Sequence, residues 1–142
     1  MSSHPSILLI DDSPGECELF RLALAQTGLD IALLTEHEAE AALHVLRNHS
    51  APSLILLDWH LRNQHGDAFL KRLRADARLA AIPVVVFTTS DESSDLLAAH
   101  THGANGYVVK PGTFDELIRC VTDLCAYWLR WNRTPIATGA RC

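Results

Sequence analysis

Four short apolar runs, residues 7–10, 54–57, 84–87 and 107–109, each end abruptly in a reactive side chain. Those side chains are Asp11 and Asp12, Asp58, Thr88 and Lys110. Aliphatic and β-branched runs of this length, separated by helix-length amphipathic stretches, read as strands buried on both faces of a parallel sheet. Crossovers between parallel strands are right-handed, and ligands of such open sheets sit beyond the carboxyl ends of the strands. One edge of the sheet therefore gathers three carboxylates, a hydroxyl and an ammonium. That collection suits a divalent cation and a phosphoryl group.

The spacing predicts five strands, at residues 7–10, 31–35, 54–58, 84–88 and 106–109, alternating with five helices. Ser13 and Pro14 open the first helix as a cap followed by a proline at the first helical position; Phe20, Ala23 and Leu24 face inward and Gly28 stops it. The second helix runs near residues 38–48 with Ala39, Ala42, Leu43 and Leu46 inward. The third follows Gly66 and uses Phe69, Leu70 and Leu73. A fourth, near residues 91–102, uses Leu96 and Leu97 and ends at Gly103. Thr113 to Glu116 form a capping box for the fifth.

With 142 residues, 48% of them apolar, the chain suits one domain with a substantial core. Its net charge is -5 and its basic residues are scattered, which argues against nucleic-acid binding. No apolar run approaches the roughly 20 residues needed to span a bilayer, and residues 1–6 carry no leader-like apolar stretch, so the expectation is a cytoplasmic protein. Cys17, Cys120, Cys125 and Cys142 show no C-x-x-C spacing and read as reduced thiols. His60 with His65, or His100 with His102, lacks the spacing of a zinc ligand set.

The motifs "ILLIDDS", "LILLDWHL" with Gly66 eight residues past the aspartate, "IPVVVFTTS" and "GANGYVVKPG" together resemble response regulator receiver domains of two-component signalling. The likeness covers residues 6–129. It implies an α/β, flavodoxin-like (βα)5 doubly wound parallel sheet of order 2-1-3-4-5. Residues 6–130 would be the receiver domain and 131–142 a tail that is flexible or forms an interface. The "SPGE", "FTTS" and "YWL" segments most resemble stand-alone receivers paired with phytochrome-type kinases.

The resemblance also implies roles. Asp58 would be the phosphoacceptor, since a carboxylate can attack a phosphoryl group and hold it as an acyl phosphate. Asp11 and Asp12 add two negative charges beside it, and Mg²⁺ would offset them. Its ligands would be Asp12, Asp58, the His60 carbonyl, and Asp11 directly or through water. Lys110 would neutralise phosphoryl oxygens and Thr88 would give one of them a hydroxyl. Thr88 and Tyr107 would form the switch, altering the surface of the fourth helix, fifth strand and fifth helix. The Lys110–Pro111 bond resembles a family cis peptide. Arg62 stands where many receivers have proline and His65 where a small polar residue is common. His60 and Ser90 flank the path of water to the acyl phosphate.

Other roles for these residues remain open at the level of sequence. Asp11 and Asp12 could cap a turn, Asp58 could be a plain strand-end carboxylate, and Tyr107 a fixed core aromatic. In the fifth helix, residues from Phe114 to Leu129 make an apolar arc that Cys120, Tyr127 and Trp131 widen to roughly 200°. The surplus, with Tyr127, Trp128 and Trp131, points to a homodimer interface; a helix covered by the tail is the alternative. No segment after Trp131 has the length of an output domain. The expected function is a single-domain response regulator fed by a sensor histidine kinase, a bacteriophytochrome among the candidates, and not an enzyme beyond its own phosphorylation and dephosphorylation. A phosphorylation-independent adaptor is the alternative. An aspartate-based phosphatase would need a second acid two residues past the nucleophile, where His60 stands.

Overall fold

The computed structural model describes residues 4–62 and 65–135. Its elements alternate as β1 (Ser6–Ile10), α1 (Pro14–Thr27), β2 (Ala32–Glu36), α2 (Ala39–Asn48), β3 (Leu54–Leu57), α3 (Gly66–Ala75), β4 (Val84–Thr88), α4 (Ser93–Thr101), β5 (Gly106–Val109) and α5 (Phe114–Cys125). A π-helical segment, Ala126–Trp131, continues α5. The strands form one parallel sheet of order 2-1-3-4-5, as expected.

Strand alternation divides the core into two layers. Leu8, Ile10, Ile55, Leu57, Val84 and Val86 face α2, α3 and α4. Ile7, Leu9, Leu54, Leu56, Val85 and Phe87 face α1 and α5, where Phe20 meets Phe87 edge to face at 5.8 Å. Strands β1, β3 and β4 are covered on both sides, which explains their unbroken apolar runs.

Local signals worked where one residue type had one job. Ser13 caps α1 by accepting from the Glu16 N–H at 3.2 Å, and Gly28 ends it at φ 73°, a left-handed conformation that suits glycine. Thr113 accepts from the Glu116 N–H at 3.1 Å. The first residue of α3, Gly66, has no room for a side chain: a Cβ there would lie 2.6 Å from Cε3 of the buried Trp59.

Two expectations fail. In α4, Leu96 and Leu97 are 41% and 69% exposed, and Ala99 makes the buried contact instead. A small side chain lets the helix lie close to the sheet, whereas apolar bulk had suggested the two leucines. The Lys110–Pro111 bond is trans, as is every described peptide bond; proline's small trans preference permits either isomer. Cys17, Cys120 and Cys125 are free thiols. Cys142 and the tail from residue 136, including Thr138 and Gly139, lie outside the described residues. No described helix is long and apolar enough to cross a membrane.

Candidate functional site

Sheet register assembles the site. Ile10 pairs with Leu57, and the Asp58 N–H donates to the Ile10 carbonyl at 2.9 Å, so Asp11 and Asp58 emerge side by side. Thr88 pairs with Val109, and the Lys110 N–H donates to the Thr88 carbonyl at 2.7 Å, which brings the hydroxyl and the ammonium to the same edge. Carboxylate oxygens of Asp11, Asp12 and Asp58 lie within 4.8 Å of one another.

The charges are unevenly compensated. Lys110 Nζ donates to Asp11 Oδ2 at 2.7 Å and stands 3.8 Å from Asp58 Oδ2 and 3.6 Å from Glu16 Oε1. Asp11 Oδ1 accepts from the Ser13 N–H at 2.9 Å, so both of its oxygens are engaged. Asp58 has a weaker contact, the His60 N–H at 3.4 Å. Burial pushes the Asp58 carboxyl above the usual carboxylate range, against the pull of Lys110 and of the Thr88 hydroxyl. Burial works the other way on Lys110, but the hydrogen bond and charge of Asp11, with Asp58 and Glu16 beside it, hold the ammonium above the ordinary lysine range.

Asp12 faces the pocket mouth with Arg62 Nε 4.0 Å away. This pocket is also lined by His37, Glu38 and Glu40. His37 Nδ1 lies 2.9 Å from the Asp11 carbonyl, which can only accept, so that nitrogen carries the proton. Cys17 lies beneath, its thiol pushed up to about 11 by burial first and then by Asp11, which favours the protonated thiol over the thiolate.

A cluster of three converging carboxylates with one buried ammonium fits a hard cation. Oxygen donors alone suit Mg²⁺ or Mn²⁺, and open space toward the mouth leaves room for retained water. Asp12 and Asp58 have the freest oxygens, since those of Asp11 are taken.

Tyr107 is half-buried against the α2–α4 layer, and its hydroxyl donates to the Ser90 carbonyl at 2.8 Å. Burial raises its pKa, against the hydrogen bond to Ser90. Sequence reasoning missed Asp95: its Oδ2 accepts from Ser90 Oγ at 2.7 Å and His60 Nε2 at 2.6 Å. No local pattern joins residues 60 and 95; only the packing of α4 does. On the π-helical segment that continues α5, Tyr127 and Trp131 are 52% and 67% exposed, while Trp128 is half-buried against Gly106 of β5. Tyr127 and Trp128 stack edge to face at 4.9 Å.

Comparison with known proteins places this geometry in context. The sequence profile of the response regulator receiver domain matches residues 7–122. Over 134 residues the chain is 37% identical to the probable methanogenesis regulatory protein FilR2 of Methanothrix harundinacea, covering 91% of this chain and 86% of that one. It is 31% identical over 137 residues to the response regulator Rcp1 of Synechocystis, covering 92% and 93%. Among solved structures, the phosphorylated cyanobacterial phytochrome response regulator RcpA superposes with a TM-score of 0.85 at 29% identity, over 94% of this chain and 99% of that one. The Mn²⁺-bound form of Rcp1 superposes at 0.80 with 30% identity, over 92% and 99%.

Proposed function

The chain belongs to the response regulator receiver domain family, and from that premise we propose that it is a single-domain response regulator accepting a phosphoryl group from a histidine kinase on Asp58. The observation that carries this reading is the meeting of Asp11, Asp12, Asp58, Thr88 and Lys110 at one sheet edge. We assign residues 6–130 to the receiver domain and 131–142 to a tail that is flexible or forms an interface.

An Asp58 oxygen attacks phosphorus while the bond to the donor's histidine nitrogen breaks, leaving an acyl phosphate. Lys110 can turn from Asp11 toward the arriving phosphoryl oxygens, a short move given its 3.8 Å distance from Asp58. The buried Thr88 hydroxyl donates to another of those oxygens. Mg²⁺ held by Asp12, Asp58, the His60 carbonyl and Asp11, directly or through water, would offset the carboxylate charge and that of the phosphoryl group. Phosphorylation adds roughly -1.5 to -2 charge, and Thr88 and Tyr107 respond, changing the face made by α4, β5 and α5.

A bacteriophytochrome is the kinase type to test first, because Rcp1 and RcpA are among the matched relatives and RcpA is a phytochrome response regulator. Tyr127, Trp128 and Trp131 support a homodimer through α5 and its π-helical extension. The protein would act in the cytoplasm, with no nucleic acid or membrane as partner, and would catalyse at most its own phosphorylation and dephosphorylation. Incubation with a small acyl-phosphate donor tests the reading. Labelling that requires Mg²⁺ supports it, whereas an unlabelled folded protein favours the phosphorylation-independent adaptor.

A further inference from the structure

Glu16, in the first turn of α1, is an acid beside Lys110 that phosphoryl acceptance leaves without a task. Ser13 and Glu16 have the spacing of a capping box, in which the N-cap oxygen accepts from the N–H three residues on and the glutamate turns back onto the N-cap N–H. Only half of the box forms. Ser13 Oγ accepts from the Glu16 N–H at 3.2 Å, but the Ser13 N–H donates to Asp11 Oδ1 at 2.9 Å. The Glu16 carboxylate faces Lys110 instead, with Oε1 3.6 Å from Nζ. It does so from outside the acid pocket. A cavity of about 290 Å³ between α1 and α5, walled by Phe87, Phe114 and Leu117, is lined by Asp11, Glu16 and Lys110, whereas Asp12 and Asp58 do not line it. The Lys110 side chain is 9% exposed and that of Glu16 46%, so a carboxylate still open to water reaches an ammonium that is nearly buried.

We propose that Glu16 is a positioning residue that draws Lys110 toward α1 and away from Asp58, and so restrains the rate at which Asp58 is loaded. The inference rests on the assignment of Asp58 as phosphoacceptor. In loading from a small acyl-phosphate donor, an Asp58 oxygen bonds to phosphorus, the bond from phosphorus to the acyl oxygen breaks, and its electron pair leaves with the donor's carboxylate. The phosphoryl oxygens then need the ammonium, which must leave Asp11 and Glu16 to meet them. A compact point charge settles among whichever oxygens surround it, and here three acids compete for it, at 2.7 Å, 3.6 Å and 3.8 Å for Asp11, Glu16 and Asp58. Asp11 is pinned by the Ser13 N–H. The Glu16 contact is too long for a hydrogen bond, so its hold on Lys110 is one of charge alone. Removing that charge takes away the pull from the α1 side and leaves every group of the acid pocket in place.

The test uses the full chain, a small acyl-phosphate donor and saturating Mg²⁺, and follows the initial rate of acid-labile phosphate uptake. Glu16→Gln should load roughly two- to fivefold faster than wild type, the scale of one partly exposed ion pair. Glu16→Asp keeps the charge in the first turn of α1 but is one methylene too short to hold the contact, and should load as fast as Glu16→Gln. Glu18→Gln removes the same charge from a residue that faces Arg21 at 3.4 Å, and should stay near the wild-type rate. A role for Glu16 in α1 stability alone would lower the melting temperature and leave the loading rate unchanged. A wild-type or slower rate in Glu16→Gln overturns the proposal and leaves Asp58 as acceptor. So does a wild-type rate in Glu16→Asp, or an equal gain in Glu18→Gln, since either reduces the effect to repulsion of an anionic donor. If Glu16→Gln does not fold, the rate of Glu16→Asp decides alone. A wild type that takes up no phosphate removes the acceptor assignment, and the role of Glu16 with it.

Discussion

Lys110 is bound to Asp11, its ammonium 2.7 Å from Oδ2, while its distance to Asp58 is 3.8 Å. One cation thus serves three acids unequally, with Glu16 at 3.6 Å as the third. Asp11 also holds the Ser13 N–H and so behaves as a fixed part of the scaffold, whereas Asp58 is left with a raised pKa and a weakly occupied carboxylate. That is the state expected of an acid waiting for a partner of opposite charge or for an electrophile.

Stability should therefore depend on pH through Asp58. Its folded-state pKa lies above the unfolded value because of burial, so the folded protein holds this proton more tightly. Ionisation costs stability as pH rises through the folded pKa, and the full contribution is present only below the unfolded one. Asp58→Asn should melt a few degrees higher than wild type in metal-free neutral buffer. The gap should close as pH falls through the acid range, which a series of thermal melts would measure.

The metal reading predicts two linked effects for Asp12→Ala. Loss of a ligand should weaken Mg²⁺ binding by about tenfold or more and slow labelling by a phosphodonor. Relief of carboxylate repulsion should raise the melting temperature of the metal-free protein. Titration calorimetry showing unchanged Mg²⁺ affinity would take Asp12 out of the ligand set.

Gly66 is a packing requirement next to the site. An added Cβ would meet the Trp59 ring at 2.6 Å, and Trp59 is 2% exposed with little room to shift. Gly66→Ala should cost about 1–3 kcal/mol, the usual range for overpacking a tight core. Urea unfolding would read the loss, and an unchanged midpoint would show that the ring can move.

Self-association should depend on the end of the last helix. Trp131 is 67% exposed, so Trp131→Ala should cost the monomer little thermal stability while shifting sedimentation toward monomer. A wild type that sediments as a monomer at micromolar concentrations, with and without a phosphoryl mimic, would rule out the dimer.

Much of this was legible in the chain because strand ends in a parallel sheet share one edge. Once β1, β3, β4 and β5 were read from apolar runs, Asp11, Asp12, Asp58, Thr88 and Lys110 had to converge. Caps at Ser13 and Gly28 were legible for the same reason: each follows from backbone geometry at a single position. Contacts between distant elements were not. Arg74 of α3 donates to the carbonyls of Ala80, Ile82 and Gly103 and to Asn105 Oδ1, anchoring the end of α4, yet its neighbours in sequence give no hint of this. Asp95 was hidden in the same way. The inward face of α4 was misread because a helix seated through Ala99 leaves Leu96 and Leu97 outside, the reverse of what side-chain size suggests.

The central claim is that Asp58 accepts the phosphoryl group, and the most direct measurement is the site of acid-labile phosphate after reaction with a small acyl-phosphate donor and Mg²⁺. Intact-mass spectrometry of wild type should show addition of one phosphoryl group, lost when Mg²⁺ is chelated beforehand, and peptide mapping should place it on Asp58. Asp58→Asn, folded as judged by circular dichroism, should show none. Phosphate incorporated equally into the folded Asp58→Asn protein would contradict the account.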